Sequence, residues 1–251
     1  MSTGIDVPAT ASDSPGREPR PDRVLLRAGG VCTVLGTMAN VVATAGHGDL
    51  PEAGTTAELA FVAERALWSH VHLLSIVGVL LWLAGFVALT QSLRRTPSAA
   101  LARLGLAAAL VGAGVHVVFF SIDGYALKRT ADAWAAAIGP AQANLLQAGT
   151  LVLLLQNSQF VSAIAFMLGL PFVLFGLAVA RSRTYPAWLG WIAVVAGLGA
   201  LVTGMTRFVG LDQLIHDPVL FPVFALPASL WIAAVGVLMW RRAARPGPPT
   251  R

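Results

Sequence analysis

The sequence predicts an all-α membrane protein, a bundle of about six transmembrane helices with both termini in the cytoplasm. Of its 251 residues, 56% are apolar and only 12% are charged, and the mean hydropathy of +0.72 is far above that of soluble domains. Long apolar runs recur along the chain, and the basic residues are concentrated in every second connection between them. Together these observations exclude a water-soluble fold.

Six apolar runs approach the ~20 residues that are needed to cross a hydrocarbon core of ~30 Å. They lie at about 28–46, 68–91, 101–121, 158–180, 186–205 and 219–240. The first run ends in Ala43, Thr44 and Ala45, which resembles a signal-peptidase site. A retained first helix is favoured because a long polar segment precedes it, and cleavage remains the alternative.

The flanking segments are polar and divide the chain into three parts. Residues 1–23 show no apolar periodicity and are predicted to be a disordered cytoplasmic tail. Residues 24–242 form the transmembrane domain, and 243–251 form a second cytoplasmic tail.

The basic residues predict the orientation in the membrane. Of the 17 Lys and Arg residues, 13 lie in the two tails and in the second and fourth connections, whereas eight of the twelve acids lie in the other connections. The positive-inside rule therefore places both ends in the cytoplasm of a multi-pass protein of the cell membrane, whose partner is the lipid bilayer. The net charge of +5 is dispersed between apolar runs, so no nucleic acid is expected as a partner.

Two outer segments complicate this topology. Thr55 and Glu58 have the spacing of a capping box, which predicts a helix that begins near residue 56 and continues into the second span. Residues 141–157 carry polar side chains among leucines. They are interpreted as an interfacial lid or as an outward extension of the fourth span, while a seventh span would disturb the parity.

The tryptophans suit this topology. An aromatic belt is predicted at the two membrane boundaries, with Trp68 and Trp134 outside and Trp188, Trp191 and Trp240 inside. Two mid-span tryptophans, Trp82 and Trp231, are predicted to be packing residues.

All five histidines fall on the outer side: His47, His70, His72, His116 and His216. At 100° per residue, Glu64, Trp68 and His72 share one face of the second span, whereas His70 points the opposite way. His70 and His72 therefore do not suit a shared metal ion.

The third span carries a second group of ionisable residues. His116 and Asp123 lie seven positions apart and share a face, together with Gly112. An ionisable side chain within a span usually pairs with another polar group inside the bundle. The predicted partner of His116 is Asp123, or else Glu64 and His72.

The last outer loop adds Asp217, which precedes Pro218. Helix capping or turn formation is one role for Asp217. The other is an acid pair in which Asp217 or Asp212 meets Glu64 and His116 across the outer mouth of the bundle. The predicted catalytic site therefore comprises Glu64, His72, His116, Asp123 and Asp217.

Sequence motifs leave the cofactor unknown. HExxH, HxxxH and CxxC patterns are all absent, so no metal ligands are predicted, and Cys32 is interpreted as a packing residue. Haem held by His116 with His72 or His70 is a less favoured alternative. The sequence also lacks a Gly-rich phosphate loop and a GxSxG elbow.

Two resemblances add expectations. The segments WSHVHLLSIVGVLLWLAGFVAL, SIDGYALKRTADAW and YPAWLGWIAVVAGL resemble uncharacterised six-span proteins of actinobacteria, which implies the fold over residues 28–240. The places of Glu64 and Asp217, near the second and last spans, are similar to those of the carboxylates in small membrane-bound terpene cyclases. That likeness implies protonation of an olefin or an epoxide by a carboxylic acid.

The functional hypothesis is a small membrane enzyme, or a protein that binds a lipophilic small molecule, with its site at the outer leaflet. The substrate would be a lipid or a terpenoid-like molecule, and the chemistry general acid/base catalysis. The alternative is a non-enzymatic accessory, immunity or transport-associated protein whose polar residues cap helices and meet headgroups. The sequence does not determine the oligomeric state.

Overall fold

A computed structural model describes residues 23–211 and 217–245. Within them the chain forms nine α-helices: α1 Arg23–His47, α2 Thr55–Ala63, α3 Trp68–Leu93, α4 Ala99–Ser121, α5 Lys128–Ala136, α6 Gly139–Ala163, α7 Leu170–Arg181, α8 Ala187–Thr206 and α9 Asp217–Ala244. Two π-helical segments, Ile122–Leu127 and Ile164–Gly169, join α4 to α5 and α6 to α7. Of the predicted tails, the structure describes only Arg23, which begins α1, and residues 243–245, of which the first two end α9.

Within the described residues, six helices are long and apolar enough to cross a membrane, so the predicted all-α polytopic bundle is confirmed. They are Arg23–His47, Trp68–Leu93, Ala99–Ala136, Gly139–Arg181, Ala187–Thr206 and Val223–Ala244. An even number of spans places the start of α1 and the end of α9 on one side of the membrane. The distribution of arginines predicts that this side is the cytoplasm.

The spans pack in chain order around a closed ring. Each of α1, α3, α4, α7, α8 and α9 contacts the next, and α9 returns to α1. Aromatic rings fill the centre, where Phe86 stacks on Phe175 at 4.7 Å and Phe172 contacts Trp231 at 5.5 Å between ring centroids. Trp82 and Trp231 are buried, as predicted for packing residues.

Small residues let α1 approach its neighbours. A Cβ atom at Gly36 would lie 2.7 Å from the carbonyl oxygen of Gly78 on α3, and one at Gly30 would lie 2.6 Å from that of Gly236 on α9. Contacts as close as these are typical of packed membrane helices. Through these contacts α1 closes the ring of spans between α3 and α9.

The third and fourth spans are longer than a bilayer is thick, and the arginine distribution predicts that they extend on the outer side. The helix from Gly139 to Arg181 has 43 residues. At 1.5 Å per residue it is about 65 Å long, roughly twice the hydrocarbon thickness. Residues 141–157 therefore extend span four outward and form neither a separate lid nor a seventh span.

The prediction for α2 is wrong in two respects. The helix begins at Thr55, but its N-cap is Gly54 (φ +95°), and no side chain caps it, so there is no capping box. It also ends at Ala63, and residues 64–67 form a turn before α3. The chain turns here because Leu59 and Val62 of α2 are completely buried against helices α5 and α6.

Helices α2 and α5 and the first part of α6 form what we call the outer cap. Its buried core comprises Leu59, Val62, Trp68, Leu127, Ala131 and Leu153. Trp68 is only 1% exposed, so its predicted place in a lipid-facing belt is wrong. Trp188, Trp191 and Trp240 are 64%, 53% and 46% exposed, as expected of the inner belt.

Candidate His–Asp site at the outer end of the bundle

Three elements bring ionisable side chains together beneath the outer cap. His47 is the last residue of α1, His72 lies in the second turn of α3, and Asp123 lies in the first π segment. One side-chain ligand atom from each of these residues lies within 4.8 Å of the other two. We call these three residues the His–Asp cluster.

A single carboxylate oxygen is the centre of this cluster. Oδ2 of Asp123 lies 3.1 Å from Nε2 of His72 and 3.5 Å from Nε2 of His47. Gln156 of α6 donates from Nε2 to the same oxygen at 3.3 Å. The side chains of His72 and Asp123 are 1% exposed and that of His47 is 29% exposed, so the cluster opens to its surroundings through His47.

Backbone carbonyls orient both imidazoles. Nδ1 of His72 lies 2.7 Å from the carbonyl oxygen of Trp68, and Nδ1 of His47 contacts that of Gly48. A carbonyl oxygen only accepts hydrogen bonds, so each Nδ1 carries the hydrogen. Nε2 of each ring faces Asp123, and the hydrogen bond at Nδ1 sets the tautomer of the ring.

The π segment that carries Asp123 is bound to α3 by two side chains. Nε1 of Trp68 donates to the carbonyl oxygen of Asp123 at 2.9 Å, and Oγ of Ser69 donates to that of Gly124 at 2.6 Å. A Cβ atom at Gly124 would overlap the Cβ atom of His72. The glycine therefore allows the π segment to approach α3, and π turns of this kind are frequent at functional sites.

Aromatic rings surround the two histidines. The ring of Trp68 lies 4.5 Å from that of His47 and 4.8 Å from that of His72, between centroids. Phe120 contacts His72 edge to face at 5.8 Å. These rings restrict the imidazole rotamers and shield the cluster from water, which strengthens its electrostatic interactions.

The structure brings together two of the five residues in the predicted site, His72 and Asp123. His116 contacts Phe120 at 4.7 Å between ring centroids, and Phe120 also contacts His72. Among the described residues, no hydrogen bond or ion pair joins His116 to Asp123, His72 or Glu64, and Nδ1 of His116 is buried without a partner. The predicted pairing is wrong because the carboxylate of Asp123 contacts His47 of α1 and His72 of α3 instead.

The remaining predicted residues lie elsewhere or are not described. Glu64 is the C-cap of α2 and is exposed in the turn before α3. Asp217 is the first residue of α9, but its side chain lies outside the described part of the structure, as do Asp212 and His216. His70 is exposed on the face of α3 opposite His72, as predicted.

Two members of the site, His47 and Gln156, were missing from the sequence prediction. His47 ends the first apolar run at the same membrane boundary as His72, although 25 residues separate them in the chain. Gln156 interrupts the apolar stretch LVLLLQN, and it is 6% exposed. A polar side chain within an apolar span usually faces the bundle interior, and that was the available signal.

No protein-family model, curated protein or solved structure matches the chain. What the site can do therefore follows from its geometry. The cluster offers two imidazole nitrogens and a carboxylate, which can hold and transfer a proton or bind a cation. It does not favour a bis-histidine haem, because Nε2 of His72 faces Asp123 while Phe120 contacts the rings of both His72 and His116.

A separate apolar groove lies between α8 and α9. It has a volume of about 570 Å³ and is lined by Trp188, Trp191, Ile192, Val195, Ala196, Val223, Phe224 and Pro227. None of these side chains is ionisable, and none belongs to the His–Asp cluster. The groove therefore offers no group for acid/base chemistry.

Proposed function

We propose that the protein is a small enzyme of the cell membrane that acts on a lipophilic substrate, lipid or terpenoid-like, by general acid/base chemistry at the His–Asp cluster. One observation carries the proposal. His72 and Asp123 are a buried imidazole–carboxylate pair, and the partly exposed His47 connects them to the outer surface.

The chemistry follows from the order of these groups. Asp123 orients the imidazole rings and balances their positive charge when they are protonated. His47, at the mouth of the site, takes a proton from the substrate or returns one to it. In such a shielded site, fixed dipoles and charges stabilise a transition state more strongly than they would in water.

The surroundings of the cluster support a lipophilic substrate. Apolar side chains close to the cluster residues in the chain face outward, including Val42 at 59%, Leu67 at 67% and Leu73 at 59% exposure. On membrane helices such residues contact lipid. A molecule within the outer leaflet would therefore reach His47 laterally, with its polar end at the membrane boundary.

The proposal is tested with wild-type protein in liposomes of total lipid extracted from bacterial membranes, by mass spectrometry of the lipids before and after incubation. We expect a product with the wild-type protein. In H72Q and D123N its rate of formation should fall by roughly 100-fold or more, as is typical when a general acid or base is lost. The control is H70Q, which changes an exposed histidine two residues away and should retain activity.

The outcome that contradicts the proposal is an unchanged lipid composition with folded wild-type protein. If H72Q then lowers thermal stability as well, the cluster has a structural role. That result would favour the non-enzymatic accessory class, in which the cluster joins the outer cap to the bundle.

A further inference from the structure

We propose that His47, His72 and Asp123 form a binding site for a divalent transition-metal ion of the Zn²⁺ type. The inference rests on the proposed function only for the role of the ion in catalysis. With the ion bound, both Nε2 atoms would be ligands, so a water on the ion would replace His47 as the acid or base. Metal binding itself does not depend on any reaction. It departs from the sequence prediction, which assigned no metal ligands.

The first argument is a convergence of lone pairs. Because both Nδ1 atoms donate to carbonyl oxygens, each neutral imidazole presents the lone pair of Nε2 to Oδ2 of Asp123. Two lone pairs and a carboxylate oxygen that face one another in a buried site repel, unless a positive charge, either a proton on Nε2 or a bound cation, lies among them. A single divalent ion would supply positive charge to both imidazoles and the carboxylate at the same time.

The second argument is distance and alignment. A tetrahedral ion with metal–ligand bonds of 2.0–2.1 Å holds its ligand atoms roughly 3.3 Å apart. The observed separations from Oδ2 to the two Nε2 atoms are 3.1 and 3.5 Å. Nε2 of His72 is nevertheless buried without an aligned hydrogen bond. Closeness without alignment is expected of two ligands that point at a common ion instead of at each other.

The third argument is the number of unused polar atoms around the cluster. Oδ1 of Asp123 and Oε1 of Gln156 are also buried without a hydrogen-bond partner among the described residues. Buried polar atoms are nearly always satisfied, so three such atoms in one place indicate an absent partner. Each of these atoms carries a lone pair, so a cation placed among them would be a partner for all three.

The fourth argument is the support around the ligands. Histidines that bind metals commonly donate their other ring N–H to a backbone carbonyl or carboxylate, which fixes the ring and its tautomer. His47 and His72 both do so. Gln156 orients the carboxylate of Asp123, and Trp68 binds its backbone.

The donor set also indicates the kind of ion and site. Two imidazoles with one carboxylate suit Zn²⁺ and neighbouring first-row metals, and no thiolate takes part. Three protein ligands leave a position for water or for a substrate oxygen, as in catalytic zinc sites. His47, 29% exposed, places that position at the open side of the cluster.

The experiment measures metal directly. Full-length protein is purified in detergent, stripped with EDTA, loaded with Zn²⁺, desalted and analysed by inductively coupled plasma mass spectrometry. We expect one Zn²⁺ per chain for the wild-type protein and for H70Q, and none for H72Q or D123N. Because H47Q changes the most exposed ligand at a helix end, it tests the site even if the buried variants fail to fold.

A spectroscopic readout and a matched pair complete the test. Co²⁺ loading should give the visible absorption of a tetrahedral nitrogen and oxygen site. W68F removes the hydrogen bond to the Asp123 backbone and should weaken Zn²⁺ binding by roughly 10–100-fold. W82F removes a similar bond, from Nε1 to Thr37 Oγ1 at 3.1 Å, but far from the site, and should leave the affinity unchanged.

Two outcomes overturn the inference: folded wild-type protein that retains no Zn²⁺ or Co²⁺, or variants of the cluster that bind them as well as the wild-type protein does. Failure of the metal site is distinguishable from failure of the proposed function. Lipid conversion by the EDTA-treated protein would refute a role of the ion in catalysis and leave both acid/base catalysis and the binding site standing. Stoichiometric Zn²⁺ without lipid conversion would support the metal site and refute the proposed function.

Discussion

A single missing side chain determines how closely the site can assemble. Gly124 packs directly against His72, and its neighbour Asp123 is held by the indole of Trp68. Any side chain at position 124 would push the π segment away from α3. The carboxylate of Asp123 would then move away from the two imidazoles, which are themselves fixed by backbone carbonyls.

We therefore expect G124A to destabilise the protein by about 1–3 kcal/mol, the usual cost of overpacking. The measurement is thermal unfolding in detergent. The control is G114A, a helical glycine at which a Cβ atom meets nothing within 4 Å. The control should be neutral or stabilising by up to roughly 1 kcal/mol, because alanine favours a helix. Equal stability of the two variants would show that the contact with His72 is unimportant.

At the level of the helix, the outer cap is held together by Lys128, the first residue of α5, which contacts the end of α2. Nζ of Lys128 donates to the carbonyl oxygens of Val62 and Ala63 at 3.3 and 3.0 Å, and it pairs with Asp132 at 2.7 Å. The last carbonyls of a helix have no partner within it, so a cation there satisfies them and opposes the helix dipole. Lys128 thus joins α5 to α2 over the site.

Replacement of this lysine by methionine tests the attachment of the cap. K128M should lower stability by roughly 1–3 kcal/mol, the worth of hydrogen bonds to a charged group. Hydrogen exchange, measured by mass spectrometry, should become faster in residues 55–67. R129M changes the adjacent exposed residue and should alter neither quantity. Slow exchange in K128M would mean that apolar packing alone holds α2.

At the scale of the whole molecule, the spans form a closed ring, and the two ends of the bundle carry different polar groups. The ring of spans closes where α9 meets α1, and the His–Asp cluster lies at the end of α1 opposite the arginine-rich connections. The inner end has a polar contact of its own, in which the hydroxyl of Tyr185 donates to Ser92 Oγ at 2.9 Å. Burial raises the pKa of Tyr185 above its ordinary value, so this hydroxyl keeps its proton.

The orientation is testable by cysteine labelling in intact cells. In a C32A background, a membrane-impermeant maleimide should label E52C, in the exposed connection before α2, without permeabilisation. It should label P97C, in the exposed connection between α3 and α4, only after the membrane is opened. The C32A protein alone is the blank. The reverse pattern would place the His–Asp cluster on the cytoplasmic side.

More of the fold than of the site could be predicted from the sequence. Apolar runs of membrane length are local properties, so the sequence alone predicts the six spans and their helical class. The same periodicity predicts that His72 is buried and His70 exposed. A helix near residue 56 was also predicted, and the outward extension of span four was one of two interpretations of residues 141–157, but the turn at residues 64–67 was not predicted. That turn depends on burial of Leu59 and Val62 against helices more than 60 residues away.

By itself the sequence determined that the chain forms helices apolar enough to cross a membrane, and it predicted how the bundle is oriented there. Both follow from hydropathy and charge, which need no knowledge of neighbours. Only the tertiary structure decided which polar groups meet: it joined His47 and Gln156 to Asp123, and it left Glu64 and His116 apart from that carboxylate. The reason is geometric. The meeting depends on a change to π geometry at Ile122 and on helix contacts at Gly124, and neither has a periodic signature along the chain.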